Sequence, residues 1–314
     1  MPGSPAAVVI VGAARAVRVE GRIPATDPGA SMPPLLALLA SGVWGSSDFA
    51  GAMLSKRWAS VAVVFLGVLL AAALLCIGIP LVHPPFGAYQ WYGVGAGVGG
   101  SIALASFYKA MAAGPMSLVA PLSATSAAVP VLWSLSRGGT VNVLQGFGIL
   151  LAFVGVVLAS GPELRSGSQM SRSTLLYTLL SAAGFGVYYI FFALGSATSV
   201  YGTLLSQRIA GVVVLAPLAL YGVTKGTSMV NGVVFTPRLT ALYVYNGIGD
   251  VLANGLYGLA TRHAGSGLPV VMALSGLYPV VSTLLAWGLL KERLKAVQNL
   301  GILAALTGVL LLNA

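Results

Sequence analysis

The sequence predicts an all-α polytopic membrane protein with ten transmembrane helices, arranged as two inverted repeats of five. Of the 314 residues, 57% are hydrophobic and only 7% are charged. The chain therefore has too few polar residues to cover a water-facing surface. The apolar residues fall into ten runs, each long enough to cross the hydrocarbon layer of a bilayer. The last two of these runs repeat the pattern of two earlier ones.

Residues 1–32 differ in composition from everything that follows, and we interpret them as an N-terminal tail. They contain no apolar run long enough to span a membrane. The charged residues of this segment are Arg15, Arg18, Glu20, Arg22 and Asp27. Two interpretations stay open: Met32 is the true start of the protein, or the tail is disordered.

Two groups of five spans follow the tail. The first repeat, residues 33–160, contains predicted spans at 35–55, 60–82, 91–113, 117–136 and 143–160. The second repeat, residues 175–314, contains predicted spans at 175–194, 203–223, 239–261, 268–290 and 296–312. The polar, Gly- and Ser-rich segment 161–174 between them is a linker. Because each repeat has an odd number of spans, the second enters the bilayer from the opposite side, which gives an inverted repeat.

The two repeats end in the same pattern of residues. Each fourth span contains a proline, Pro130 or Pro279. A glutamine and two glycines then follow at identical spacing in each final span, namely Gln145, Gly148 and Gly155, and Gln298, Gly301 and Gly308. Together with the segment WGSSDF at residues 44–49, these endings resemble the EamA-type members of the drug/metabolite transporter superfamily. The resemblance extends over residues 32–314.

The resemblance implies secondary-active transport, by alternating access, of a small metabolite, an amino acid or a drug. Movement outward in exchange for protons is the expected direction. The expected location is the cell membrane, as a multi-pass protein of the bacterial inner membrane. The expected partners are a small-molecule substrate, protons and the lipid bilayer, and a homodimer is left open.

The net charge of +10 does not indicate a nucleic-acid partner. The 16 Lys and Arg residues lie mostly at the ends of the predicted spans, where basic residues set topology. Counted by loop, six lie on the side of the termini and ten on the other. The positive-inside rule therefore places both termini outside, whereas the resemblance places them in the cytoplasm, and the orientation stays open. We expect no cofactor and no metal, because the single cysteine, Cys76, cannot form a metal cluster alone.

Two acidic residues, Asp48 and Asp250, lie inside the predicted spans. A carboxylate in that position costs about 3 kcal/mol on insertion scales unless it faces a cavity or is protonated. Either residue could therefore load and release a proton during transport, or contact the substrate. The alternative is that each only holds a neighbouring helix through a hydrogen bond.

A polar stripe runs along the eighth predicted span. Asn246, Asp250, Asn254 and Tyr257 are spaced so that all four lie on one face of a helix. Such groups would lack partners in lipid, so the stripe must face the protein interior or a wet cavity. We expect that cavity to bind the substrate.

Aromatic residues in other spans are candidates for the same cavity. Trp44 precedes Asp48 by about one helical turn, and Tyr189 lies in the corresponding part of the sixth span. Tyr108 in the third span aligns with Tyr257 in the eighth. An aromatic wall with a few hydrogen-bonding groups suits small amphipathic or aromatic solutes. The alternative is that these rings belong to the packed core or anchor the membrane interface.

Two basic residues inside the spans have two interpretations each. Lys109 lies near the end of the third span and Arg208 near the start of the seventh. Long basic side chains at such positions commonly extend to the lipid headgroups. The alternative is an ion pair with an anionic solute.

Two other function classes stay open. Residues 247–250 match the G-x-G-D pattern of intramembrane aspartyl proteases, in which Asp48 would supply the second carboxylate beside Asp250. This match is short in a chain that contains 41 glycines. A passive channel or a structural membrane protein is the other alternative. No Ser/His pair or metal cluster indicates another enzyme, and we expect a transporter without enzymatic activity.

Overall fold

The computed structural model describes residues 32–55, 58, 60–113, 122–123, 125–159, 171–224, 236–290 and 295–312. Within these residues the secondary structure is entirely helical. The α-helices are α1 (Met32–Ser55), α2 (Ser60–Val82), α3 (Gln90–Ala113), α4 (Ala128–Ser136), α5 (Val143–Ala159), α6 (Arg172–Ser196), α7 (Val200–Thr224), α8 (Pro237–His263), α9 (Leu268–Ser275), α10 (Tyr278–Leu290) and α11 (Ala296–Leu312). The predicted tail and most of the predicted linker lie outside the described residues.

Several helices have the length and composition of a membrane span. Among the residues that the structure describes, four segments meet both requirements: Ala62–Val82, Arg172–Ser196, Val200–Gly222 and Gly265–Leu289. Helices α5 and α11 are equally apolar but shorter, at 17 residues each. Large apolar side chains cover much of the outer surface, with Leu81 85% and Leu310 72% exposed. The chain is therefore a multi-pass membrane protein, because only lipid could stably cover such a surface.

Helices from the two halves of the chain pack against each other in matching pairs. Helix α3 packs on α6, and α1 packs on α8 in the same way. Helix α5 packs along α11, and α2 along α7. Each of these pairs joins a helix of the first predicted repeat to one of the second, so the core lies between the two halves.

The contact between α5 and α11 is made by the glycines of the repeated endings. A Cβ atom added at Gly155 would lie 2.3 Å from the backbone nitrogen of Ala305. One added at Gly301 would lie 2.2 Å from that of Ala159. The two backbones are thus in direct contact, which only glycine allows.

The ninth predicted span, residues 268–290, does not form one continuous helix in the structure. It forms α9 and α10, with Gly276 and Leu277 between them. The cause is Pro279, which lacks an N–H group and cannot continue a helix from the preceding turn. The hydroxyl of Ser41 in α1 lies 2.7 Å from the carbonyl oxygen of Leu274, so a side chain of another helix contacts the backbone next to the break.

Candidate functional site

Helix α8, which carries the polar stripe, has well-defined ends. The side chain of Thr236 accepts a hydrogen bond from the N–H of Leu239 at 3.3 Å, and Pro237 is the first helical residue. Arg262 and His263 lie in the last turn, where positive charge is favourable for the helix dipole. These signals fix where the helix begins and ends, and its packing against neighbouring helices sets the direction in which its stripe faces.

The stripe faces the interior of the bundle and contacts several helices. The side-chain amide of Asn246 donates a hydrogen bond to the carbonyl of Ser47 in α1 at 2.8 Å. The hydroxyl of Tyr257 donates to the carbonyl of Tyr189 in α6 at 3.1 Å. Tyr257 is fully buried and Asn254 is 1% exposed. In the structure these residues face the interior of the bundle, as their helical spacing predicts.

An ion pair joins α8 to α7 at the middle of the stripe. The guanidinium Nη2 of Arg208 contacts Oδ2 of Asp250. The side chain of Arg208 is 5% exposed, whereas that of Asp250 is 36% exposed. Arg208 therefore does not extend to the lipid headgroups, and its partner in this structure is a residue of the protein. The buried Nε of Arg208 has no hydrogen-bond partner within the described residues.

Hydrogen bonds extend this ion pair to a third helix. The side-chain amide of Asn254 donates to Oδ1 of Asp250 at 3.1 Å. The carbonyl oxygen of the same amide accepts a hydrogen bond from the hydroxyl of Tyr188 in α6. We refer to Arg208, Asp250, Asn254 and Tyr188 as the polar network. It links α6, α7 and α8 through groups that have few other partners in the interior of a membrane protein.

A cluster of aromatic rings lies beside the polar network. Trp44 in α1 is at its centre, with ring centroids 5.7 Å from Tyr189, 5.6 Å from Tyr257 and 6.5 Å from Tyr278 in α10. Tyr188 of the network lies 5.2 Å from Tyr189 in an edge-to-face arrangement. These spacings are typical of favourable aromatic contacts. We refer to Trp44, Tyr189, Tyr257 and Tyr278 as the aromatic cluster.

Asp48 lies near both groups and is bound to neither. Within the described residues its carboxylate has no hydrogen bond or ion pair, and the residue is exposed. It interacts electrostatically with Asp250 on α8 and with the hydroxyls of Tyr189 on α6 and Tyr278 on α10. Helices α8 and α10 both pack against α1, and the side chain of Asp48 is accessible beside them.

The structure brings together most of the predicted site residues. Trp44, Tyr189 and Tyr257 share one cluster, next to Asp250 and Asn254 of the polar network. Asn246 lies about one turn away from Asp250 and is engaged in packing against α1. The side chain of Tyr108 lies outside the described residues.

Three residues of the arrangement were not among the predicted site residues. Arg208 was treated as a headgroup or solute contact. An arginine inside a span needs a carboxylate partner, however, and the predicted spans contain only two carboxylates. Tyr188 adjoins Tyr189, and the choice between them depended on the exact rotation of α6. Tyr278 lies at the break between α9 and α10 and was not singled out in the sequence.

The geometry does not favour the aspartyl protease. In such enzymes two carboxyl groups share one proton. Here Asp250 is engaged by Arg208 and Asn254, whereas Asp48 has no such partners. In the described part of the chain, no group of three or more His, Cys, Asp and Glu residues could hold a metal ion.

Two cavities are found away from the polar network. The larger, about 390 Å³, lies on the outer face of α5 and is lined by apolar side chains including Phe147, Leu151 and Leu311. The smaller, about 10 Å³, lies between Ala127, Phe153 and Leu277. Neither is lined by a residue of the polar network or of the aromatic cluster.

Comparison with known proteins identifies a repeated family unit. A sequence model of the EamA-like transporter family matches residues 32–161 and again residues 172–314. A search of curated proteins gives no match. One solved structure, described as the crystal structure of a protein, superposes with a TM-score of 0.66 at 17% sequence identity, over 90% of this chain and 96% of the other. At that identity the similarity concerns the fold alone.

Proposed function

Because the chain belongs to the EamA-like transporter family, we propose that it is a secondary-active exporter of a small metabolite, an amino acid or a drug. We propose further that it exchanges this solute for protons by alternating access, in the bacterial inner membrane. The family comprises membrane transporters of the drug/metabolite transporter superfamily, which is why transport is the premise. The proposal concerns the identity of the solute, the coupling ion and the direction of transport.

The observation that carries the proposal is the polar network in the interior of the bundle. Ionised groups inside a membrane protein are expensive and usually mark an ion or substrate pathway. Here a buried arginine and a partly exposed aspartate are joined to two further hydrogen-bonding groups on three helices. A purely structural bundle would be held equally well by apolar packing, since a buried ion pair adds little net stability.

Proton coupling follows from the chemistry of the two carboxylates. A proton that binds Asp250 removes its negative charge and with it the attraction that holds Arg208. The contact between α7 and α8 would then weaken, so the protonation state selects between two arrangements of these helices. Asp48, which has no hydrogen-bond or ion-pair partner in the described residues, is the second group able to accept a proton.

Alternating access is supported by the matching helix pairs. If the two repeats are inverted copies, α3 corresponds to α8 and α6 corresponds to α1. The contact of α3 with α6 then has its counterpart in the contact of α8 with α1, and both contacts are present. Inverted repeats allow one site to open to either side of the membrane by exchange of the two conformations. The break between α9 and α10 and the polar contact of Ser41 beside it give the second half a place to bend.

The test begins with a growth-toxicity screen of an overexpressing strain against panels of amino acids and drugs, to find a transported solute. Purified protein is then placed in liposomes, and flux of that solute is measured with and without an imposed proton gradient. We expect the gradient to drive flux in the wild type. The double variant Asp250→Asn/Arg208→Gln removes both charges, so that neither member of the ion pair is left without its partner. We expect gradient-driven flux in this variant to fall at least tenfold.

The control is Thr307→Val, at an exposed hydroxyl that bonds only to the carbonyl of Leu303 in its own helix. This variant should transport like the wild type. Flux that ignores the gradient would indicate a passive channel. Unchanged gradient-driven flux in the double variant would show that the polar network has no part in coupling.

A further inference from the structure

We propose that the transported solute is a monovalent organic cation with an apolar or aromatic body, and that the carboxylate of Asp48 binds its cationic centre beside the aromatic cluster. This inference rests on the proposed function, because it concerns the substrate class of the same site.

The charges of the site are the first argument. Arg208 and Asp250 form an ion pair, so they compensate each other. Asp48 interacts electrostatically with Asp250 but has no cation beside it in the described residues. When Asp48 is ionised, the site has one uncompensated negative charge, and in surroundings of low dielectric constant a solute with a single positive charge is its complement.

The surroundings of that carboxylate are the second argument. Trp44 lies one helical turn before Asp48 on α1, and α10, which carries Tyr278, packs against α1. The ring centroids of Tyr189 and Tyr278 lie within 6.5 Å of that of Trp44. Aromatic faces attract cations through their quadrupole, most strongly in the case of tryptophan. A carboxylate next to several rings is thus suited to an ammonium group attached to an apolar body.

Arg208 adds discrimination against anions and zwitterions. Its side chain is 5% exposed and already paired with Asp250, so a solute carboxylate would have to compete with that residue for the guanidinium. The same solute would place a second negative charge near Asp48. Both effects disfavour a carboxylate on the solute, whereas an amine without one avoids them.

The experiment compares three solutes with the same phenyl ring and two-carbon chain but different charge: phenethylammonium, L-phenylalanine and 3-phenylpropanoate. Binding to the purified full chain in lipid nanodiscs is measured by titration calorimetry at pH 7.5. We expect the Kd of phenethylammonium to be at least tenfold lower than that of either other compound. This ranking needs no variant and so does not depend on whether a substituted protein folds.

Two variants then assign the effect to Asp48. Asp48→Asn should raise the Kd of phenethylammonium at least tenfold, whereas Asp48→Glu, which keeps the charge, should preserve the ranking. Equal or tighter binding of the zwitterion or the anion, failure of all three to bind, or an unchanged Kd in Asp48→Asn would each overturn the inference. Gradient-driven flux of another solute would leave the proposed function intact in those cases, whereas cation binding without gradient-driven flux would contradict the proposed function alone.

Discussion

An arginine in the interior of a membrane protein is stable only if its charge is compensated. Arg208 is 5% exposed, and its contact with Asp250 provides that compensation. Removing one partner of a buried ion pair leaves an uncompensated charge, whereas removing both leaves none. If a proton binds Asp250 during transport, as proposed, it removes the charge that compensates Arg208 just as removal of the carboxylate would.

Substitutions at the ion pair should therefore be strongly non-additive. We expect Arg208→Gln and Asp250→Asn each to lower the free energy of unfolding by about 2 kcal/mol. This value is below the ~3–5 kcal/mol of a fully buried pair, since Asp250 keeps 36% of its side-chain surface exposed. The double variant should be less destabilised than the sum of the singles. Thermal unfolding of the four proteins in one detergent measures this, and strict additivity would show that the contact has no energetic role.

At the residue scale the sequence predicted which face of α8 is polar, but not which residues of other helices pair with that face. The stripe of Asn246, Asp250, Asn254 and Tyr257 followed from helical spacing alone, because all four residues lie on one element. The pairing of Asp250 with Arg208 joins positions 42 residues apart, and its geometry depends on how two helices are rotated. Helical spacing contains no information on that rotation.

At the scale of the helices, local sequence likewise predicts where a helix lies, whereas contacts with distant residues determine whether it bends or breaks. The first bound of α3 differs by one residue from the predicted span, because an apolar run marks a helix directly. The ninth span divides into α9 and α10 beside Pro279, a proline already recognised in the sequence of this span. Proline inside a membrane helix can produce a kink or a break, and the surrounding contacts decide which. Here the hydroxyl of Ser41, from the other half of the chain, lies beside the break.

The contact of α5 with α11 gives a prediction at the scale of a helix pair. Gly155→Ala would place a Cβ 2.3 Å from the backbone of Ala305, so the helices must separate. We expect a loss of about 1–3 kcal/mol in unfolding free energy, as for other overpacked contacts. Gly146→Ala in the same helix is the matched control, since no atom lies within 4 Å of its added Cβ. Equal melting temperatures for the two variants would contradict direct contact of the backbones.

The whole molecule is organised by contacts between its two halves. The family unit occurs twice, at residues 32–161 and 172–314, and the strongest helix pairs join one unit to the other. The repeated spacing of prolines, glutamines and glycines was sufficient to predict this duplication. The position of Asp48 on α1, accessible beside α8 and α10 of the other half, depends on these contacts.

The central claim is that the space around Asp48 opens alternately to the two sides of the membrane. Accessibility of a single cysteine tests it most directly, because Cys76 is the only cysteine in the sequence and can be replaced by serine as the background. Asp48→Cys in that background is exposed to a membrane-impermeant maleimide in right-side-out and in inverted vesicles, with Cys76→Ser alone as the unlabelled control. The account predicts labelling of residue 48 from both sides of the membrane. Labelling from one side only, or from neither, would contradict it.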